Sequence, residues 1–440
     1  MKDRKITNEV NLNQQDDKLI KLKIDEVNIN GEGVCFLEDK TKVCVKRVLP
    51  QEEVLVEKVF EKNNFINAKL EEVLVASDLR IKAKCPYYNL CGGCDYQHLK
   101  TEESLKQKRD IIAKYFSDLY QAEIQANKSK LDFNYRNKAS FYVYDNKVGF
   151  QKENSNKLIE IDNCLLLDPI INKTLKIFKD WLNKNNTREI NHFVIRTLDK
   201  KLIITLVVER IPKNLDKLLK VFEDNFLQNS YGVYLNFNKQ KHIILSDKWQ
   251  HVFGLKYLED EFEGIKYNVH PYSFLQVNNN VKNDIYKYVL QKIDNQIVIE
   301  GYSGAGLLSA ILSKKAKKVI GVEINKSATN DANNIKKLNN IDNLENINGD
   351  CKSVLPDLAK KYSNAVFVID PPRSGCDEKT LTAIKENNIN KVIYISCNPY
   401  TLKQNVKFLS DKYKITDFEI FDMFPQTSNV ESVVCLEKIK

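Results

Sequence analysis

What most constrains this chain is a regular strand–helix alternation that starts near Val277 and runs to the last residues. It reads IVIE, a loop and a helix; KVIGVEI and a helix; NAVFVID, a loop and a helix; KVIYISC and a helix. Short apolar runs, each followed by a helix, imply a mainly parallel sheet with both faces covered. The closing segments YKITDFEIFDMF and SVVCLEKI read as an antiparallel hairpin at the edge of that sheet. The expected fold class is α/β, with this C-terminal part Rossmann-like.

Ligands of such sheets bind at the carboxyl ends of the strands. The first strand runs into Glu300-Gly301-Tyr302-Ser303-Gly304-Ala305-Gly306, where glycines permit a tight turn and close approach of a ligand. The next strand ends at Glu323, placed to accept hydrogen bonds from ribose hydroxyls. That spacing fits a dinucleotide or an S-adenosylmethionine site. Three further strand ends carry Asp370-Pro371-Pro372-Arg373, Ser396-Cys397-Asn398-Pro399, and Asp422-Met423-Phe424-Pro425 leading to Glu431. An acid, a thiol and a second acid would converge at one edge.

That trio suits one reaction. Carbon 5 of uracil is too weak a nucleophile to take a methyl group unaided. A thiolate adding to carbon 6 gives an enolate and makes carbon 5 nucleophilic. After methyl transfer a base removes the carbon 5 proton and the thiolate leaves. Cys397 can be the nucleophile, Glu431 the base, and Asp370 the group on the pyrimidine edge; Cys351 and Cys376 are the other thiols nearby in sequence.

Upstream, Lys18 to about Val75 shows short apolar alternations broken by NINGEG and LPQEE, the spacing of a small all-β barrel. A cysteine-rich loop follows, then the charged helix TEESLKQKRDIIAKYF. Strand-like NKASFYVYDNKVGF, FVIRTL, KLIITLVVE and GVYLNFN then alternate with helices over IINKTLKIFKDWLNK and NLDKLLKVFEDNF. With 440 residues, two or three domains are expected. The net charge of +9 suits a polyanionic partner, and residues 1–84, with 16 basic and 16 acidic side chains, contribute none of it. No apolar run reaches bilayer length and the first residues are polar, so a cytoplasmic location, no membrane and no implied protein partner are expected. Disulfides are not expected among ten cysteines in that compartment. Cys85, Cys91 and Cys94 share one loop and need a fourth ligand; spacing alone leaves zinc and a four-iron cluster open.

YSGAG, VIDPPRSG, ISCNP and DMFPQTSNVE, in this order, resemble the RNA uracil-5-methyltransferase family, closest to the bacterial 23S rRNA enzymes of the RumA type. The resemblance covers nearly the whole chain. It implies S-adenosylmethionine as methyl donor, Cys397 as nucleophile, Glu431 as base, and Asp370 at the pyrimidine and donor site. Its donor contacts map to Gln276, Tyr302, Glu323 and Asp350. It pairs the cysteine triplet with Cys164 to hold a [4Fe–4S] cluster. It also implies 23S rRNA as the RNA partner. Glu300, Ser303, Leu307 and Asn429 depart from residues frequent in the family.

The expected domains are then a TRAM-like barrel over 14–76, a central α+β domain with the cluster loop and an RNA-binding surface over 77–265, and an S-adenosylmethionine-dependent methyltransferase domain over 266–440. Tyr135, Arg136, Lys138, Phe141 and Tyr142 form a mixed basic and aromatic patch for RNA. A tRNA uracil-5-methyltransferase is the first rival, although such relatives usually lack the barrel and the cysteines. Radical S-adenosylmethionine enzymes need a Cys-x3-Cys-x2-Cys triplet, and this chain has x5 and x2. A silent RNA-binding assembly factor is the third reading, with Cys397 and Glu431 counting against it.

Overall fold

The computed structural model describes residues 19–185, 187–240, 243–387 and 389–439. Positions 14–18 of the expected barrel lie outside the described residues. The chain gathers into two compact units: one runs to Ala126 and takes in Phe424–Asn429, and the other holds 127–423 and 430–440. The expected three-domain division is finer than this.

In the first unit the alternating runs form a six-stranded sheet. Its order is Leu19–Lys23, Glu53–Glu61, Phe65–Val75, Lys42–Lys46, Glu32–Phe36, Glu26–Val27. Alternate side chains such as Val54 and Val56 point inward and join Leu22, Val43, Val45 and Ile66 in one core. Three register shifts between Glu53–Glu61 and Phe65–Val75 mark bulges, which bend a sheet over its core. Beside it, Glu52 is fully buried and accepts the Leu49 and Ser77 N–H groups at 2.8 and 3.1 Å and Arg80 Nη2 at 2.6 Å. Burial would raise this carboxyl group, but Arg80 and the two N–H groups hold it below its ordinary value.

The helix Thr101–Phe116 carries the buried Lys108, whose Nζ donates to the Phe424 and Asn429 carbonyls, both at 3.2 Å. Asp95 accepts the Ser428 N–H at 2.9 Å and its hydroxyl at 3.1 Å. These bonds explain why Phe424–Asn429 folds with the first unit while its neighbours in sequence belong to the second.

The second unit contains two large sheets. One is ordered Leu158–Glu160, Lys147–Gln151, Lys138–Tyr144, Ile190–Leu198, Lys201–Val208, Tyr231–Phe237, Trp249–Gly254. The helices Pro169–Asn185 and Leu215–Asn225, both expected from sequence, cover it through Phe178 stacked on Phe193 at 3.9 Å and Phe193 on Phe222 at 6.5 Å. The other sheet runs Leu344–Asn348, Lys318–Glu323, Ile297–Gly301, Val366–Ile369, Lys391–Ser396, Glu431–Lys438, Tyr413–Phe421. Its first five strands are parallel and the last two pair antiparallel, as the alternation and the closing hairpin imply. Asn127 lies along the outermost of these, its carbonyl accepting the Asp422 N–H at 2.9 Å.

Candidate active site

Because Glu431–Lys438 runs antiparallel to Lys391–Ser396, it starts where its neighbour ends. Ser396 and Ser432 face each other in register, so Cys397 and Glu431 sit at the same edge. Asp370 follows directly on Val366–Ile369, the next strand over. The turn bearing Cys397 is pinned on both sides. Ser396 Oγ accepts the Asn398 N–H at 3.1 Å; Asn398 caps the helix Pro399–Leu409 by accepting the Tyr400 N–H at 3.1 Å and donates from Nδ2 to the Arg373 carbonyl at 2.7 Å. The DPPR and SCNP loops are thereby tied together.

Electrostatics confirm the convergence. Glu431 is raised well above its ordinary value by burial and then by Asp370, with Arg373 pulling the other way. Burial pushes Asp370 up to about 7. The Cys397 thiol is raised by burial and by Glu431 and Asp370, against a lowering by Arg373. Tyr286, on the helix Asn279–Gln291, is raised by burial and by Asp370, Glu300 and Glu431. Arg373 and Tyr286 were not singled out from sequence. Arg373 had a signal, as the last residue of DPPR; Tyr286 had none, since one tyrosine on an amphipathic helix reads as core. Of the rival thiols, Cys351 and Cys376 are buried and pushed up to about 12, while Cys397 is half-buried.

The glycine turn is built for close approach. Gly306 has φ +77°, and a Cβ there would fall 2.5 Å from the Ala332 Cβ, so only glycine fits. Glu323 accepts the Gly304 N–H at 2.9 Å and the Asn325 N–H at 2.7 Å, which fixes its carboxylate at the strand end with lone pairs to spare. Tyr302 takes φ +62°, its N–H meets Cys351 Sγ at 3.2 Å and its hydroxyl donates to Asp377 Oδ2 at 3.1 Å. Asp350 caps the helix Cys351–Lys361 and pairs with Lys352 at 3.1 Å, so it has a structural task of its own. Gln276 accepts the Asn137 amide through its backbone carbonyl at 3.0 Å. Glu300, a departure from the family pattern, is buried, bonded to the Ser309 hydroxyl and pushed by burial up to about 8.

One expectation needs correction. Tyr135 and Phe141 are core residues, 5% and 0% exposed; along the strand, alternation sends Ala139, Phe141 and Val143 inward. Lys138, Ser140 and Tyr142 stay half-buried on the other face, and Tyr144 is exposed. Among the described residues no three Cys, His, Asp or Glu side chains are placed to hold a metal. Cys85, Cys91 and Cys94, in the first unit, and Cys164, in the second, are half-buried and in no disulfide. Locally, Gln97 accepts the Cys85 N–H at 3.0 Å and donates to Cys94 Sγ at 3.2 Å. Asn172 holds the Cys164 backbone through two 3.0 Å bonds.

The sheet, with acids and a thiol at its carboxyl edge, defines an α/β methyltransferase fold. The model of the tRNA (uracil-5-)-methyltransferase family matches residues 100–439, and the chain belongs to that family. It is 32% identical to an uncharacterized RNA methyltransferase of Fusobacterium nucleatum, over 96% of each chain. It is 31% identical to another of Clostridium acetobutylicum, over 94% of this chain and 96% of that one. Among solved structures, the tRNA (uracil-54, C5)-methyltransferase of Pyrococcus abyssi, in complex with S-adenosyl-L-homocysteine, superposes with a TM-score of 0.79 at 22% identity, covering 95% of this chain and all of that one.

Proposed function

We propose that this chain methylates carbon 5 of a uridine in 23S rRNA, with S-adenosylmethionine as donor and a covalent link through Cys397. The observation that carries the reading is the half-buried thiol of Cys397 at one sheet edge with Asp370 and Glu431, two carboxyl groups that burial raises above their ordinary values. The glycine turn and Glu323 fit the nucleoside end of the donor. S-adenosylmethionine, when bound, supplies the methyl group as an electrophile. Arg373 favours the Cys397 thiolate, which adds to carbon 6 as the pyrimidine's electrons move toward its carbonyl oxygen. Asp370, protonated, donates a hydrogen bond to that pyrimidine edge. After carbon 5 has taken the methyl group, Glu431, ionised with its own proton given to solvent, removes the carbon 5 proton, and the electrons of that C–H bond expel the Cys397 thiolate. Glu431 then passes that proton to solvent.

The N-terminal sheet does not by itself separate rRNA from tRNA, since the Pyrococcus tRNA enzyme spans 95% of this chain. The rRNA assignment rests on the cysteine loop and the RumA-type motifs; the family's name and that neighbour favour tRNA as the second reading. Mass-spectrometric mapping of 5-methyluridine in both RNAs, from cells with and without the gene, decides. Loss from 23S rRNA alone supports the proposal, loss from tRNA alone replaces it, and no loss leaves the silent assembly factor.

The same reading places a [4Fe–4S] cluster on Cys85, Cys91, Cys94 and Cys164. The donor set has the right chemistry: four thiols in no disulfide, with Cys85 raised by burial and by the nearby Cys91, the repulsion a bound cation relieves. No catalytic step passes through the cluster. Iron and sulfide analysis of anaerobically purified protein tests it: four irons per chain support it, stoichiometric zinc or no metal ends it.

A further inference from the structure

Strands Lys138–Tyr144 and Ile190–Leu198 place two cations opposite each other. Arg196 and Lys138 are directly paired in the antiparallel register, which puts their side chains on one face about 5 Å apart at Cβ. Arg196 is 3% exposed; Nη2 donates to the Ser273 carbonyl at 2.8 Å, while Nε and Nη1 are buried with no partner. Asn137 Oδ1, one residue from Lys138, is also buried and unpartnered.

Among the described residues, no acid compensates this charge. Burial lowers Arg196 to about 10, and burial together with Arg196 lowers Lys138 to about 8; no carboxylate acts on either. The acids closest along the bonded network are engaged elsewhere. Asp168 accepts the Thr197 hydroxyl at 3.3 Å and the Ile170 N–H at 2.9 Å, and Asp331 accepts the Ser273 hydroxyl at 2.6 Å. Two buried like charges with no counter-ion oppose folding, so a chain that keeps them has them for a ligand.

We infer that Lys138, backed by the charge of Arg196, seats a phosphodiester of the RNA strand. This rests on the proposed action on RNA. The donor's methionine end does not fit as well, because its ammonium and sulfonium groups would meet two cations along with its carboxylate. The surroundings suit a nucleotide. On the same face Tyr142 lies 4.7 Å from the His192 ring, its register partner. Ser273, tied to Arg196, is flanked by Tyr272, whose ring stacks on His270 at 5.1 Å, and by Phe274, 74% exposed and open to stacking. Lys138 is half-buried, so its ammonium is the reachable end of the pair, and Arg196 is a positioning residue that strengthens it from beneath.

The test uses the full-length protein and a fluorescent twelve-nucleotide oligouridylate, with affinity followed against KCl. Removing one phosphate contact from a single strand should flatten the log–log salt slope by about 0.7. Lys138→Met should show that loss and bind several-fold more weakly at low salt, Arg196→Met should show a smaller one, and Lys138→Arg should restore the slope. Donor affinity by calorimetry should be unchanged in all three. An unchanged slope in Lys138→Met overturns the inference, as does a loss that Lys138→Arg fails to restore. So does weakened donor binding with the RNA slope intact. Binding here needs no methyl transfer, so the inference can fail while methylation stands, and the reverse.

Discussion

Arg80 in the first unit and Arg196 in the second are both arginines held by folded β structure, but their surroundings differ in kind. Arg80 meets the buried carboxylate of Glu52, which two backbone N–H groups also satisfy. Arg196 meets one carbonyl and Lys138. Elsewhere in the second unit the buried Glu431 and Glu300 and the half-buried Asp370 are all raised, with Asp370 acting on both of the others. At Glu52 the first unit pairs a buried carboxylate with an arginine, whereas the second leaves Arg196 and Lys138 without a carboxylate and holds raised carboxyl groups elsewhere. Such groups lower stability, and they collect where a ligand or a reaction completes them. Chemistry therefore belongs to the second unit.

The largest effect should come from the carboxyl and thiol cluster itself. Cys397→Ala removes the nucleophile, and neither methylated RNA nor a covalent adduct should form. Glu431→Gln keeps the shape without the base, so addition and methyl transfer proceed while release slows by about 10²–10⁴-fold. With methyl-labelled donor and RNA, it should accumulate a labelled protein–RNA adduct that survives denaturing electrophoresis. Near-normal methyl transfer by Cys397→Ala would rule out the covalent route. A Glu431→Gln variant with modest rate loss and no adduct would make Glu431 a structural carboxyl group.

Next comes the paired site. Glu52→Gln leaves the Arg80 charge without its partner and should destabilise the protein by about 3 kcal/mol, the low end for breaking a buried pair because Arg80 keeps some exposure. Urea unfolding read by circular dichroism measures it. A neutral result would mean that the first unit does not depend on pairing, and the contrast between the units would lose one side.

Much of this was legible beforehand. The parallel sheet and its closing hairpin follow from apolar runs spaced by helices, which also put Asp370, Cys397 and Glu431 at strand ends on one edge. The inward face of Lys138–Tyr144 was misread, because Phe141 and Tyr135 look like stacking residues until alternation against neighbours is known. Arg196 was invisible: FVIRTL reads as one apolar strand, and only the cross-strand register shows what faces its arginine. Tyr286 and the hold of Lys108 on the Phe424–Asn429 segment depend in the same way on contacts between residues distant in sequence.

A smaller effect separates the raised acids from ordinary ones. A folded-state carboxyl raised to about 7 binds its proton more tightly than the unfolded chain does. Its contribution is complete below the ordinary carboxylate range and is lost as pH rises through 7. Asp370→Asn should therefore match wild type near pH 4 and become more stable by on the order of 2 kcal/mol at pH 8. Thermal melts across that range check it. Catalysis should rise with pH on the acid side as the Cys397 thiol and Glu431 ionise and decline above about 7 as Asp370 loses the proton it donates; a rate that falls steadily from pH 5 would contradict the raised groups.

The smallest expected effect is also the sharpest test of the contrast. Lys138→Met removes a cation that no described hydrogen bond or ion pair satisfies and fills the same space with an apolar chain. Replacing uncompensated buried charge in this way should stabilise the protein by about 1 kcal/mol, a rise of one to two degrees in melting temperature for a chain of this size. Arg196→Met should gain less, because it also gives up the 2.8 Å bond to the Ser273 carbonyl. The sign matters more than the size: the same class of change lowers stability at Glu52 and raises it at Lys138 if one site is closed and the other awaits an anion. Saturating oligouridylate should then raise the melting temperature of wild type more than that of Lys138→Met, since only the wild type gains a counter-ion. A Lys138→Met protein that melts below wild type, with or without RNA, would show that the second unit compensates its charge after all.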